Sequence, residues 1–194
     1  MGPEFITNTR VDTPRLILEG FTPSDLQRLF SDHSASEIQT ILGVDEHGYG
    51  HYRNMVDGGM ETFRLSAIMF LMRQRDTGTI IGECGFHTWN RTHRKAELFY
   101  AMRDDMFKRK GFATEAVEYL LGYGFTHMQL HRVEAKVASA NVPSVRILQR
   151  FGFVHEGILR QDYVVDGINE DSEMHSLLQS EWHRHMAENG MGAV

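Results

Sequence analysis

Lys108-Arg109-Lys110-Gly111-Phe112-Ala113-Thr114-Glu115-Ala116 is the stretch on which the fold of this chain turns. It joins a strand-patterned segment, Lys95 to Arg103, to the clearest helical stripe, Gly111 to His127. Ala113, Ala116, Val117, Leu120, Leu121 and Gly124 share one face of that helix. Glycine at the junction lets the backbone turn tightly and approach a ligand closely. The unpaired amides of the first helical turn then face whatever sits there, and the helix dipole favours an anion. Arg103, Lys108, Arg109 and Lys110 concentrate positive charge at this turn in a chain of net charge −6. A diphosphate suits such a pocket, each charge-assisted amide bond contributing about 1.5–3 kcal/mol. An ordinary helix entry with solvated basic residues has the same composition. Neither G-x-x-x-x-G-K-[ST] nor G-x-G-x-x-G occurs, so the P-loop and dinucleotide fingerprints are absent.

Outward from this junction the pattern is that of a mixed α/β chain. Upstream, Arg15 to Phe21 reads as a strand, and Thr22-Pro23-Ser24-Asp25 carries a helix-start signature. Residues 36–60 hold five glycines and read as short helices and loops. Leu65 to Arg75 and Thr79 to His87 flank Arg75-Asp76-Thr77-Gly78 as a hairpin. Downstream, His131 to Ala138 alternates as a strand, Ser144 to Phe151 forms a short helix, and Val154–Val165 with Asn169–Leu178 forms a hairpin around Asp166-Gly167. A last helix holds Trp182. The expected fold is α/β (α+β): a mostly antiparallel sheet of about seven strands, one parallel crossover, and helices on both faces.

The chain has 194 residues, 41% of them hydrophobic and 24% charged, which suits one domain with a self-sufficient core. Met1-Gly2-Pro3-Glu4-Phe5 reads as a cloning remnant, so residues 1–8 are set apart from a single domain at 9–188, and 189–194 reads as a flexible tail. No apolar run reaches the roughly 18 residues of a membrane span, and the acidic balance disfavours nucleic acid. A lone Cys84 allows no intramolecular disulfide and fits a cytoplasmic setting. Among eleven histidines, His47/His51 and His127/His131 have i, i+4 spacing, but no H-E-x-x-H occurs and no metal is expected.

The central segment resembles the acetyl-CoA loop of the GCN5-related N-acetyltransferases (GNAT), [Q/R]-x-x-G-x-[G/A]; Lys108 stands at the first position, and Gly111 and Ala113 fit the others. Asn141-Val142-Pro143-Ser144 followed by Leu148 to Phe153 matches the family's later N-x-x-S…x-x-G-F motif. Arg94 to Leu98 and Glu156-Gly157 are similar to the RimJ/RimL branch, which acetylates protein N-termini and some small amines. The resemblance spans about Thr13 to Trp182. It implies a V-shaped split between strands 95–103 and 131–138, with the pantetheine arm in the split against the backbone of Met102. The diphosphate is then held by Lys108, Arg109, Lys110, Gly111, Phe112, Ala113 and Thr114, Asn141 touches the arm, and Ser144 lies near the thioester sulfur.

The implied activity is acetyl transfer from acetyl-CoA to a primary amine by direct attack in a ternary complex. An ammonium must lose a proton before it attacks, the carbonyl becomes an oxyanion, and a thiolate leaves. Glu97 is the first candidate base, walled by Ala96, Leu98 and Phe99 so that desolvation raises its pKa. A structural carboxylate satisfied by Arg94 or an amide is the competing reading. Glu83 and His87 share a strand face and come next. Ser144 is the candidate donor to the thiolate, and Tyr163 an acid or a substrate-side wall. Met55, Met60 and Met69 could line an adaptable pocket. Acidic residues at 32, 37, 45 and 46 could attract a cationic acceptor, such as a ribosomal-protein N-terminus, a polyamine or an aminoglycoside; a solvated acidic face is the ordinary reading of the same charges. Phe99 and Met102 favour acetyl over longer acyl groups. The alternative is a non-catalytic acyl-CoA-binding or sensing module. Apolar residues on the last strand and helix serve either a homodimer or the monomer core.

Overall fold

The computed structural model describes residues 9–188; the expected remnant at 1–8 and tail at 189–194 lie outside them. Thr9–Asp12 (β1) pairs antiparallel with Leu16–Phe21 (β2), one strand more than the sequence suggested. Only four residues long and without an alternating apolar pattern, β1 has no signal of its own. Pro23–Asp32 (α1) starts as read: the Thr22 amide donates to the Asp25 carboxylate at 2.9 Å, and the Asp25 amide donates to the Thr22 hydroxyl at 3.3 Å.

Residues 36–60 follow the expectation of helices joined by loops, with more helix than their glycines suggest. They lie mainly in two regular helices, Ala35–Leu42 (α2) and Glu46–Gly58 (α3). Ser34 and Glu37 form a capping box on α2, and Asp45 caps α3 by accepting the Gly48 amide at 2.9 Å. Gly48 does not break α3. A Cβ there would lie 2.7 Å from that of Val44, so glycine allows the first turn to close over this side chain.

Ser66–Gln74 (β3) and Ile80–Asn90 (β4) form the expected hairpin, followed by Lys95–Met102 (β5) and a 3-10 turn at Asp105–Phe107. Phe112–Thr126 (α4) crosses over to Arg132–Val137 (β6), and Val142–Arg150 (α5) leads to the hairpin of Val154–Val165 (β7) and Ile168–Leu178 (β8). Gln179–Glu188 (α6) ends the described chain. The strands make one eight-stranded sheet, ordered β1-β2-β3-β4-β5-β6-β8-β7. No described helix is long and apolar enough to cross a membrane.

Both faces of the sheet are covered, which explains the unbroken apolar run in β3. Ile68, Phe70 and Met72 join α4 and α6 in one core; Met69 and Leu71 join α1–α3 in another, with Tyr52 buried. Leu177, Trp182 and Met186 complete the first core, so these apolar residues of the last strand and helix serve the monomer. The single parallel pairing sets the site. β5 and β6 are in register only at Lys95–Arg132, Ala96–Val133 and Glu97–Glu134; beyond Glu97 they pair with different neighbours and the sheet opens.

Candidate functional site

The opening between β5 and β6 is bounded on one side by the start of α4. Gly111 stands there at φ +81°, a left-handed conformation that glycine adopts without a Cβ clash. Thr22, Ser34, Asp45 and Asn141 cap α1, α2, α3 and α5, but no side chain caps α4, leaving its first-turn amides for a ligand. Arg15 braces this helix start: its guanidinium donates to Glu115 Oε2 at 2.6 Å and to the Lys110 carbonyl at 2.9 Å, and it lies 4.6 Å from the centre of the Phe112 ring. Burial opposes ionisation of Glu115, but hydrogen bonds from Thr13 and Arg15 outweigh it and hold its pKa below the usual range.

A cavity of about 420 Å³ lies against this turn. Of the residues expected to hold the cofactor, Met102, Lys108, Arg109, Gly111, Phe112, Ala113, Thr114, Asn141 and Ser144 line it, and Lys110 does not. Lys108 pairs with Asp105 at 2.6 Å, while Arg109 makes no salt bridge among the described residues. Asn141 also has a local duty, accepting the Ser144 amide at 3.3 Å to cap α5. Tyr100 was missed. Its hydroxyl lies 3.5 Å from the Ser144 carbonyl oxygen, and burial pushes its pKa up. The signal existed, since Leu98, Tyr100 and Met102 alternate along one face of β5.

Tyr100, Asn141 and Ser144 also line a second cavity, of about 290 Å³, on which Glu97 opens. Glu97 is 7% exposed, and among the described residues its nearest ionisable partner is His87, with Nε2 3.8 Å from Oε1. The expected bond from Arg94 is absent; that side chain donates to the Gln129 carbonyl instead. Burial raises the pKa of Glu97, and the nearby positive charges of His87 and Lys136 oppose the rise without cancelling it. Tyr163 of β7 and Glu170 and Asp171 of β8 form the outer wall. Lys136, the cationic side chain there, pairs with Asp162 at 3.2 Å.

His87 and Phe99 connect this cavity to a third, of about 590 Å³, beneath α3. Met55, Met60 and Met69 line it with Glu83, which accepts a 2.5 Å hydrogen bond from the buried Tyr52 hydroxyl. Phe99 faces this side and Met102 the cofactor side, so the two do not meet at one acyl position. The acidic residues at 37 and 45 are helix caps, and those at 32 and 46 line neither cavity. A separate hollow of about 560 Å³ beside Trp89 and Arg91 shares no residue with these three.

Comparison with known proteins agrees with this architecture. The family model for the acetyltransferase (GNAT) domain matches residues 15–154. The uncharacterized N-acetyltransferase YoaA of Bacillus subtilis is 30% identical over 171 residues, 87% of this chain and 96% of that protein. YdaF of the same organism, provisionally named a ribosomal N-acetyltransferase, is 34% identical over 105 residues, 54% of this chain and 57% of its own. The spermidine N(1)-acetyltransferase of Vibrio cholerae is 33% identical over 93 residues, 48% and 53% of the two chains. A crystal structure of mutant forms of the spermidine/spermine N-acetyltransferase SpeG from that organism aligns with a TM-score of 0.65 at 22% identity, covering 88% of this chain and 97% of that one.

Proposed function

The chain belongs to the acetyltransferase (GNAT) family, and from that premise we propose that residues 9–188 are one catalytic domain that moves an acetyl group from acetyl-CoA to a primary amine on a cationic acceptor in the cytoplasm. The carrying observation is a partition of charge across one cleft. The α4 side offers uncapped amides with Arg109 and with Lys108, itself paired with Asp105, whereas the β7–β8 and α3 sides offer Glu97, Glu170, Asp171 and Glu83, with Lys136 paired to Asp162. One side favours a polyphosphate, the other an ammonium.

The cavity at α4 fits acetyl-CoA by its donors: free first-turn amides, two cationic side chains, and apolar Met102, Phe107 and Ile147 along its length. Bound there, acetyl-CoA supplies the acetyl group as an activated thioester. Glu97 takes the proton of the incoming ammonium, for which its raised pKa suits it. His87, 3.8 Å away and half-exposed, passes that proton to water. Ser144, on the wall common to both cavities, donates to the departing sulfur. Tyr100 stays protonated at neutral pH and serves as a second hydrogen-bond donor at the same wall. No covalent enzyme intermediate is needed.

Basic protein N-termini and polyamines both satisfy the acidic wall, and the names of two relatives point to these classes. Fold alone does not choose between them. Mass spectrometry of acetyl-CoA incubated with N-terminal peptides, polyamines and aminoglycosides tests the reading, with acetyl-CoA binding followed in parallel. Acetylation of a cationic acceptor is the expected result. Binding without transfer to any member would favour the acyl-CoA sensor, and absence of binding would remove the cofactor assignment.

A further inference from the structure

We propose that His155, Glu173 and His175 form a binding site for a divalent transition-metal ion of the zinc class, apart from the acetyl-transfer cleft. His155 and His175 face each other directly across the β7–β8 ladder, and Glu173 lies two residues before His175 on the same side of its strand. Both imidazoles direct Nε2 at one carboxylate oxygen, Oε2 of Glu173, from 3.1 Å for His175 and 4.0 Å for His155. All three ligand atoms lie within 4.8 Å of one another. Tetrahedral zinc with bonds of about 2.0–2.1 Å holds its ligand atoms roughly 3.3–3.5 Å apart. Closing onto an ion therefore asks for a contraction of about an ångström.

The cluster is built to make that movement. His175 is fixed, its side chain 4% exposed, whereas that of His155 is 48% exposed and free to rotate inward. The 3.1 Å contact between His175 Nε2 and Glu173 Oε2 already turns this carboxylate towards the two imidazoles. Two imidazoles and one carboxylate suit zinc, cobalt, nickel or copper; magnesium and calcium favour all-oxygen sets. The i, i+4 histidine pairs found in the sequence gain no third ligand among the described residues, whereas here His155 is brought by strand pairing to a Glu173–His175 pair on β8. An ion here would tie the two strands together at the base of the hairpin, whose far end carries Tyr163, Glu170 and Asp171.

The test uses the full chain, stripped of metal by chelation and titrated with zinc at neutral pH. After gel filtration the wild type is expected to retain one equivalent. At a hundredfold excess over Kd its melting temperature rises by about 5–10 °C. Cobalt is expected to give the visible absorption of a low-symmetry nitrogen–oxygen site. His155→Ala and Glu173→Gln, both at positions that leave the core unchanged, each weaken zinc binding at least about tenfold, the loss that even an outer-shell partner produces. His47→Ala, on the surface of α3, leaves binding unchanged. The proposal is overturned if no zinc is retained, if both ligand variants hold it as tightly as wild type, or if magnesium raises the melting temperature equally.

Discussion

Glu97 combines two properties that seldom coexist at a residue selected for stability: it is 7% exposed, and among the described residues it has no charged contact closer than 3.8 Å. Its folded pKa stands above its unfolded value, so the native state holds the proton more tightly. Stability therefore falls as pH rises from the ordinary glutamate value through the raised one. Glu97→Gln removes this loss. The variant is expected to melt above wild type at neutral pH, with the gap closing near about pH 4, where the carboxyl is protonated in both states. Its turnover is expected to fall by roughly 10²–10⁴ with acetyl-CoA affinity unchanged; wild-type turnover would take the base role away from Glu97. At the other side of the cleft, alanine at Gly111 must hold φ near +81° with its Cβ 3.3 Å from Arg15 Nη2. A left-handed alanine costs about 1–2 kcal/mol in the folded state, so Gly111→Ala should lower the melting temperature by about 2–8 °C, measured by thermal unfolding. Both residues were legible in the sequence, Gly111 from its helix start and Glu97 from its apolar neighbours. Tyr100 was passed over because a tyrosine on an alternating strand reads equally well as core.

Elements were legible where the signal is local and lost where it depends on pairing. The β3–β4 and β7–β8 hairpins followed from their turn residues, and α1 from its capping box. Glycine content blurred the bounds of α2 and α3, although Ser34, Glu37 and Asp45 mark their starts as caps. Strand order was harder, because β8 inserts between β6 and β7 and brings together charges distant in sequence. Glu156 on β7 accepts Arg132 Nη1 and Nη2 at 2.8 and 2.6 Å and the Ser176 hydroxyl at 2.7 Å. Arg132 and Lys95 in turn share Glu134, so one polar chain runs across β5, β6, β8 and β7 beside the opening of the sheet. The Arg132 guanidinium, with help from Ser176, holds the Glu156 pKa down to about 2. A depressed carboxylate stabilises the fold above its unfolded pKa, and that contribution is lost as pH falls from about 4.5 towards 2. Since the Glu156 side chain is 38% exposed, solvent screening limits the effect to about 1 kcal/mol. Glu156→Gln should lower the melting temperature by about 2–4 °C at neutral pH. Urea titrations at descending pH check the sign, because the gap between variant and wild type must shrink as the solution becomes acidic.

At the scale of the molecule, a net charge of −6 conceals an arrangement with two signs. Of the four cations that the sequence gathers at the start of α4, Lys108 and Arg109 line the cavity there, whereas Lys110 does not and Arg103 donates to the Gly43 carbonyl. The acidic wall draws on β4, β5 and β8: Glu97, Glu170 and Asp171 line the cavity at the opening between β5 and β6, and Glu83 the one beneath α3. Residues 37 and 45, acidic and close in sequence, are occupied in capping helices instead. The arrangement makes salt a probe of direction. Rising ionic strength screens exposed charges beyond a Debye length of about 10 Å at 0.1 M, so the KM of a cationic acceptor should climb with salt while kcat holds. Glu170 and Asp171 are the exposed part of the wall and touch none of the groups assigned to proton transfer. Replacing both, Glu170→Gln with Asp171→Asn, should raise the acceptor KM by about three- to tenfold, flatten its salt dependence and leave the KM for acetyl-CoA unchanged. Lys108→Ala with Arg109→Ala should do the reverse, weakening acetyl-CoA and sparing the acceptor. Steady-state kinetics of the two double variants against both substrates separates the sides of the cleft. A neutralised acidic wall with unaltered acceptor KM and unaltered salt response would mean that the acceptor is read by shape alone, and the methionine-lined cavity under α3 would then be the place to look for its selection.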